Sequence, residues 1–148
     1  MTKEKLDKSL PSTDRSLPIA LIRAREGVMS PIRDMLAETN ITEQQWRVLR
    51  VLSEHGQMDA KSLAERASLL FPSLTRIAAT LRKKGLVTQT RDEKDRRRQF
   101  IAITASGQKI IDDRIPQSTE IVEGFKDTLG PENYETLLDL LAMLDPGK

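Results

Sequence analysis

Two groups of side chains have types and spacings that could do chemistry, and both are basic. Within residues 72–84, Ser73, Arg76, Thr80 and Lys83 fall on one side of a helix at about 100° per residue, with Thr75 and Ala79 flanking them. Leu74, Ile77, Ala78 and Leu81 occupy the opposite side. Hydroxyls, a guanidinium and an ammonium around small residues suit entry into a DNA major groove, where an Arg can hold a guanine edge with two hydrogen bonds. The second group is Lys94, Asp95, Arg96, Arg97 and Arg98, in a stretch from Asp92 to Arg98 without an apolar residue. At the tip of a hairpin these cations would reach phosphates or a narrow minor groove. Asp95 precedes Arg97 by two residues, close enough to orient it. Alone, the helix face reads as well as a solvated surface, and the hairpin tip as a solubilising loop. Side by side, they favour nucleic-acid binding.

The charge distribution supports the same reading. The chain has 148 residues and a net charge of +2. Residues 1–60 are neutral, residues 61–104 carry 11 basic and 4 acidic side chains for a net +7, and residues 105–148 are net −5. A basic segment this concentrated is what a polyanion-binding surface requires. Other chemistry finds little support. There is no cysteine, which excludes disulfides, thiolate metal sites, cysteine nucleophiles and thiol redox sensing. A lone histidine, His55, makes no multi-histidine metal centre. Asp112 and Asp113 are adjacent and would project about 100° apart on a helix, as a solvated face and not a catalytic pair. No enzymatic activity and no cofactor are expected. No apolar run approaches the roughly 20 residues of a membrane span, and the polar start lacks the apolar segment of a signal peptide, so a cytoplasmic protein is expected.

The elements that must position these residues can be traced from the start. Residues 1–16 read as a flexible arm. Leu17, Leu21, Ala24, Val28, Ile32, Met35 and Leu36 recur at helical spacing, with Gly27 and Pro31 predicting a bend. Thr42 to Gln45 is a capping box that opens a second helix, across which Ile41 can staple onto Trp46; Gly56 stops that helix. Asp59 caps a short helix holding Leu63, Ala64 and Ala67. After a turn at residues 68–70, Pro72 takes the first position of the next helix, which Gly85 closes. Residues 86–91 and 99–104 read as two strands. Beyond Gly107 a long helical region carries Ile110, Ile111, Ile115, Ile121, Val122 and Phe125, which Pro116 should break or kink; Gly130-Pro131 precedes a leucine-rich last helix. The fold class is therefore mainly α with a small β-hairpin wing (α+β), a winged helix-turn-helix at residues 41–107 between helices at 17–40 and 108–148. A last helix carrying Leu137, Leu138, Leu140, Leu141 and Leu144 cannot hide its apolar surface on so small a domain, so a partner is expected.

These residues resemble a known family. Pro72-Ser-Leu-Thr-Arg76, Lys84-Gly85-Leu86-Val87, Asp95-x-Arg97-Arg98 and Ile103-Thr104-x-x-Gly107 are similar to the motifs of MarR winged-helix transcription regulators over residues 17–145. Residues 16–26 with Thr42 to Arg47 are similar to the regulators of homoprotocatechuate-degradation operons within it. The resemblance implies a homodimer with interlocking terminal helices, binding a pseudo-palindromic operator in double-stranded DNA with half-sites roughly 10 bp apart. It places Arg76 in the major groove and Arg97 in the minor groove. It also implies a small aromatic carboxylate or its thioester as ligand between the dimerisation helices and the DNA-binding lobe. Arg25, Met29 and Trp46 are the residues expected to bind it, with Arg23, Arg33 and Arg50 nearby, and Arg15 and His55 as weaker candidates. The function expected is repression of an aromatic-compound catabolic operon, relieved by that ligand. The alternative is a ligand-independent regulator or a protein-contact module.

Overall fold

The computed structural model describes residues 9–147. A single 3-10 turn at Thr13–Arg15 leads into α1 (Leu17–Leu36), α2 (Glu43–His55), β1 (Met58–Asp59), α3 (Ala60–Arg66), α4 (Phe71–Lys83), β2 (Val87–Arg91), β3 (Gln99–Ile103), α5 (Ala105–Leu129) and α6 (Pro131–Met143). The strands form an antiparallel sheet in the order β1-β3-β2, with Val87 opposite Ile103 and Met58 opposite Ile101.

Local chemistry explains the boundaries. Thr42 Oγ1 accepts the Gln45 amide at 3.2 Å while Gln45 Oε1 accepts the Thr42 amide at 3.2 Å, completing the capping box of α2. Asp59 caps α3 by accepting the Ser62 amide at 3.1 Å. Thr104 caps α5 by accepting the Gly107 amide at 3.1 Å, and its hydroxyl donates to the Gly85 carbonyl at 2.7 Å, fastening α5 to the chain leaving α4. The core is one cluster, in which Val48, Leu49, Leu52, Leu63, Leu74, Leu81, Val87 and Ile101 are fully buried. The predicted apolar stripe of α4 lies in it, and Ile41 and Trp46 are both buried at the start of α2.

Several details differ from the sequence reading. The hairpin is joined by a third strand, β1, too short to show any periodicity. α4 begins one residue early, at Phe71, leaving Pro72 in the first turn, where its missing N–H costs nothing. α5 is not broken at Pro116 but continues through it as one helix, as α1 does through Gly27 and Pro31, where a bend and not a break is expected. Pro116 removes one helical hydrogen bond, but Ile111 and Ile121 on either side pack against the core and keep the helix continuous. Residues 1–8 of the expected arm lie outside the described residues. Its end is ordered by Ser12, whose hydroxyl accepts the Asp14 amide, and by Asp14 bridging to Arg23 at 3.2 Å.

Gly107 shows why the Thr-x-x-Gly pattern follows β3. A Cβ there would collide with the Leu86 carbonyl oxygen and lie 2.8 Å from Ile103 Cγ1. That same carbonyl accepts the Thr104 amide at 3.0 Å, so it cannot retreat without breaking the α5–β2 junction. Gly107→Ala should therefore destabilise the chain by about 1–3 kcal/mol. Urea unfolding would show this as a lower midpoint at unchanged slope; an unaltered midpoint would mean that the junction yields freely.

Candidate nucleic-acid interface

The helix-turn-helix is set by its hydrophobic joint and by a clamp that sequence reasoning missed. Ser68, in the turn between α3 and α4, has a positive φ of 54°. Arg47 on α2 donates through Nη1 to the Ala67 and Ser68 carbonyls at 2.9 and 3.3 Å, while its Nε and Nη2 donate to Glu43 at 3.1 and 3.0 Å. One guanidinium thus satisfies carbonyls at the end of α3 and holds the turn that aims α4. Only the Glu43–Arg47 spacing was visible in sequence.

On α4, Thr75, Arg76 and Lys83 are exposed and Ser73, Ala79 and Thr80 half-buried. The Thr75 and Thr80 hydroxyls donate to the Phe71 and Arg76 carbonyls at 3.1 and 3.2 Å. With their protons engaged they offer lone pairs outward, which suits the exocyclic amines of cytosine or adenine. No salt bridge holds Arg76 among the described residues. The far end of α4 is tied down: Lys84 Nζ donates to the Asn40 carbonyl at 2.7 Å and to the buried Gln45 Oε1 at 3.3 Å. This links the end of the helix to the junction between α1 and α2.

The loop between β2 and β3 organises itself around its carboxylates. Asp92 Oδ1 accepts the Lys94 amide at 2.9 Å and Asp95 Oδ1 accepts the Arg97 amide at 3.1 Å. Asp95 also stands 3.6 Å from Arg97 Nε, yet the Arg97 side chain remains 96% exposed. Lys94 and Arg96 are exposed as well. Arg98 behaves differently. It turns back to within 3.7 Å of Asp59 and lies 5.0 Å above the Phe100 ring, bracing the wing against the start of α3. Asp59 titrates below the usual carboxylate range, chiefly because the Ser62 hydroxyl and amide donate to it, with Arg98 adding to the effect. A lowered folded-state value means this contribution is present above the ordinary aspartate range and is lost as pH falls through the folded value. Between wing and helices runs an open groove of about 510 Å³, lined by Asp59, Ala60, Lys61, Phe71, Asp95, Arg97, Arg98 and Gln99.

The expected ligand residues are separated within one chain. Trp46 is buried beside a cavity of about 70 Å³ shared with Arg50 on α2 and with Ile111, Ile115, Ser118 and Thr119 on α5. Arg25 and Met29 lie on α1 outside that lining, the first exposed and the second half-buried. Arg23 and Arg33 pair with Asp14 and Glu26. His55 lies near Glu54 and Arg66. Among the described residues no helix is long and apolar enough to cross a membrane, and no cluster of three potential metal ligands occurs.

A recognition helix beside a basic wing, on a winged helix-turn-helix flanked by long helices, defines a transcription regulator, and the chain belongs to the MarR family. The sequence profile of that family matches residues 41–98. The HTH-type transcriptional regulator FarR of Neisseria gonorrhoeae is 40% identical over 133 residues, covering 90% of this chain and 91% of that protein. The homoprotocatechuate degradative operon repressor of Escherichia coli is 38% identical over 126 residues, 85% of each. The crystal structure of NadR in complex with 4-hydroxyphenylacetate superposes with a TM-score of 0.77 at 40% identity, covering 92% of this chain and 96% of that one.

Arg97 and Arg98 should separate experimentally. Arg97→Ala should leave stability unchanged but flatten the dependence of DNA affinity on log salt by about one unit per chain. Arg98→Ala should instead lower stability by up to about 1 kcal/mol. An unchanged salt slope for Arg97→Ala, or a stability loss matching that of Arg98→Ala, would contradict this division.

Proposed function

We propose that the protein is a homodimeric repressor of an aromatic-compound catabolic operon, released from a pseudo-palindromic operator by a small aromatic acid. The observation that carries this reading is the segregation of surface. The basic helix face and wing share residues 41–107, whereas α1 leaves Leu17 and Leu21 exposed, α5 Ile115 and Leu129, and α6 Leu137, Leu138 and Leu140. Residues 17–40 and 108–148 then form the dimer, and twofold symmetry presents two copies of α4 to successive major grooves. In this reading Ser73, Thr75, Arg76, Thr80 and Lys83 meet the major groove, and Lys94, Arg96 and Arg97 meet phosphates and the minor groove. Asp95 and Arg98 hold the wing in shape.

The proposed ligand site is the cavity beside Trp46. Trp46 offers a ring wall, Arg50 a charge-assisted contact for a carboxylate, and Ser118 and Thr119 hydroxyls for a ring substituent. Arg25 and Met29 of α1 lie outside its lining within one chain; the proposal keeps them as ligand residues brought up by dimerisation, with Arg50 as the carboxylate partner already at the cavity. Within one chain this cavity is small, about 70 Å³, and opens toward the surface. In this reading an aromatic acid enlarges it between α2 and α5. Ligand then favours a dimer with altered helix spacing, and operator affinity falls by the ligand's preference for that state. Two relatives support this chemistry: one is named a repressor of a homoprotocatechuate operon, and NadR holds 4-hydroxyphenylacetate.

The test is thermal unfolding and operator binding with 4-hydroxyphenylacetate, benzoates and their CoA thioesters. At least one compound should raise the melting temperature with concentration, as mass action requires, and weaken operator binding. Arg50→Ala should abolish both effects while still binding the operator. If no compound changes either quantity, the ligand-independent regulator is the correct reading.

A further inference from the structure

Among the described residues, the exposed large apolar side chains lie on the N-terminal segment, on α1, α5 and α6, and at one other place: Leu70 and Phe71, 78% and 52% exposed. These two are the exposed large apolar residues of the whole 41–107 lobe. They take no part in its core, and dimerisation through α1, α5 and α6 does not explain them. Leu70 stands at the cap position of α4, where Ser, Thr, Asp or Asn would accept a first-turn amide; Leu70 makes no such bond. Phe71 lies on the same flank of the helix as Thr75, about 40° away at 100° per residue. It also lines the groove shared with Lys61, Arg97 and Arg98 and with the carboxylates of Asp59 and Asp95, which are engaged by Ser62 and by the Arg97 amide. An apolar pair is thus exposed at the leading end of α4, with Phe71 beside a groove where three cations outnumber two engaged carboxylates; this is the end that meets base edges in helix-turn-helix proteins.

We infer that Leu70 and Phe71 are specificity-determining residues that take the C5 methyl groups of thymines in the operator. The surrounding cations fit a partner whose apolar spots are framed by negative charge. The thymine methyl is the apolar group that DNA presents in its major groove, flanked by phosphates. This inference rests on the DNA-binding reading above. It adds an apolar element to a helix face otherwise built from hydroxyls, Arg76 and Lys83.

The experiment selects a preferred duplex from a randomised pool with the full-length protein. Affinity is then measured for that duplex and for one in which deoxyuridine replaces every thymine, removing only the methyl groups. The unaltered protein should bind the methyl-free duplex more weakly, by about fourfold for each contacted methyl. The double variant Leu70→Ala, Phe71→Ala should bind both duplexes nearly alike, each single alanine variant should lose part of the difference, and Arg97→Ala should keep all of it. Phe71 is exposed, so the variants should fold, which circular dichroism checks. The inference falls if the unaltered protein does not discriminate, or if the double alanine variant discriminates equally well. A contact with sugar or with another protein would produce such results. A pool that yields no preferred duplex would instead overturn the DNA-binding reading itself.

Discussion

The structure depends on one buried joint. Leu49 and Leu52 from α2, Leu63 from α3, Leu74 and Leu81 from α4, and Ile101 from β3 meet without accessible surface. Each element contributes one apolar stripe, so burying those stripes together leaves little freedom in how the elements are rotated. The polar face of α4 is consequently exposed, and the wing hairpin leaves the sheet beside it. Each buried Leu or Ile contributes about 1.5–3 kcal/mol, whereas an exposed ion pair contributes about 0–1 kcal/mol. The joint therefore sets the geometry, and the polar contacts trim it. Arg47 trims the turn before α4, Lys84 its far end, and Arg98 the wing.

The same accounting explains the contrast between the two halves of the molecule. Residues 41–107 supply most of the core, joined by Met35 and Leu36 of α1 and Ile111 of α5, whereas α6 buries no residue at all. α5 belongs to both halves. Its first turns are pinned at Thr104 and Gly107, and Ile111 enters the core, while Ile115 is already exposed. In the proposed dimer α5 and α1 are the levers through which one lobe's position depends on the other. The Lys84 contact with Asn40 and Gln45 brings the end of the recognition helix to the base of α1. A ligand that wedges α2 from α5 acts where these levers meet the DNA-binding lobe.

What was legible in the sequence followed how local the cause is. The stripe Leu74, Ile77, Ala78 and Leu81 could be read because helical period is a property of one segment. The capping box at Thr42 and the polar hairpin tip are equally local. β1 was not legible, since two residues have no period. That α5 continues past Pro116 without a break was not either, because packing at Ile111 and Ile121 supports the helix on both sides. Arg98 was read as one more wing cation, but its direction is set by Asp59, far away in sequence. Lys84 reaches a carbonyl 44 residues away, and the wall facing Trp46 comes from α5. Chemistry carried by one segment was readable; contacts made by folding were not.

The central claim is that two copies of this chain read one symmetric site. The most direct measurement is the mass of the complex, by sedimentation or mass photometry, on a duplex selected by the protein and on one with 5 bp inserted between its half-sites. The account predicts two chains on the selected duplex, with half-site centres roughly 10 bp apart, and loss of the complex when half a turn rotates one site away. One chain per duplex, or binding indifferent to the insertion, would contradict it.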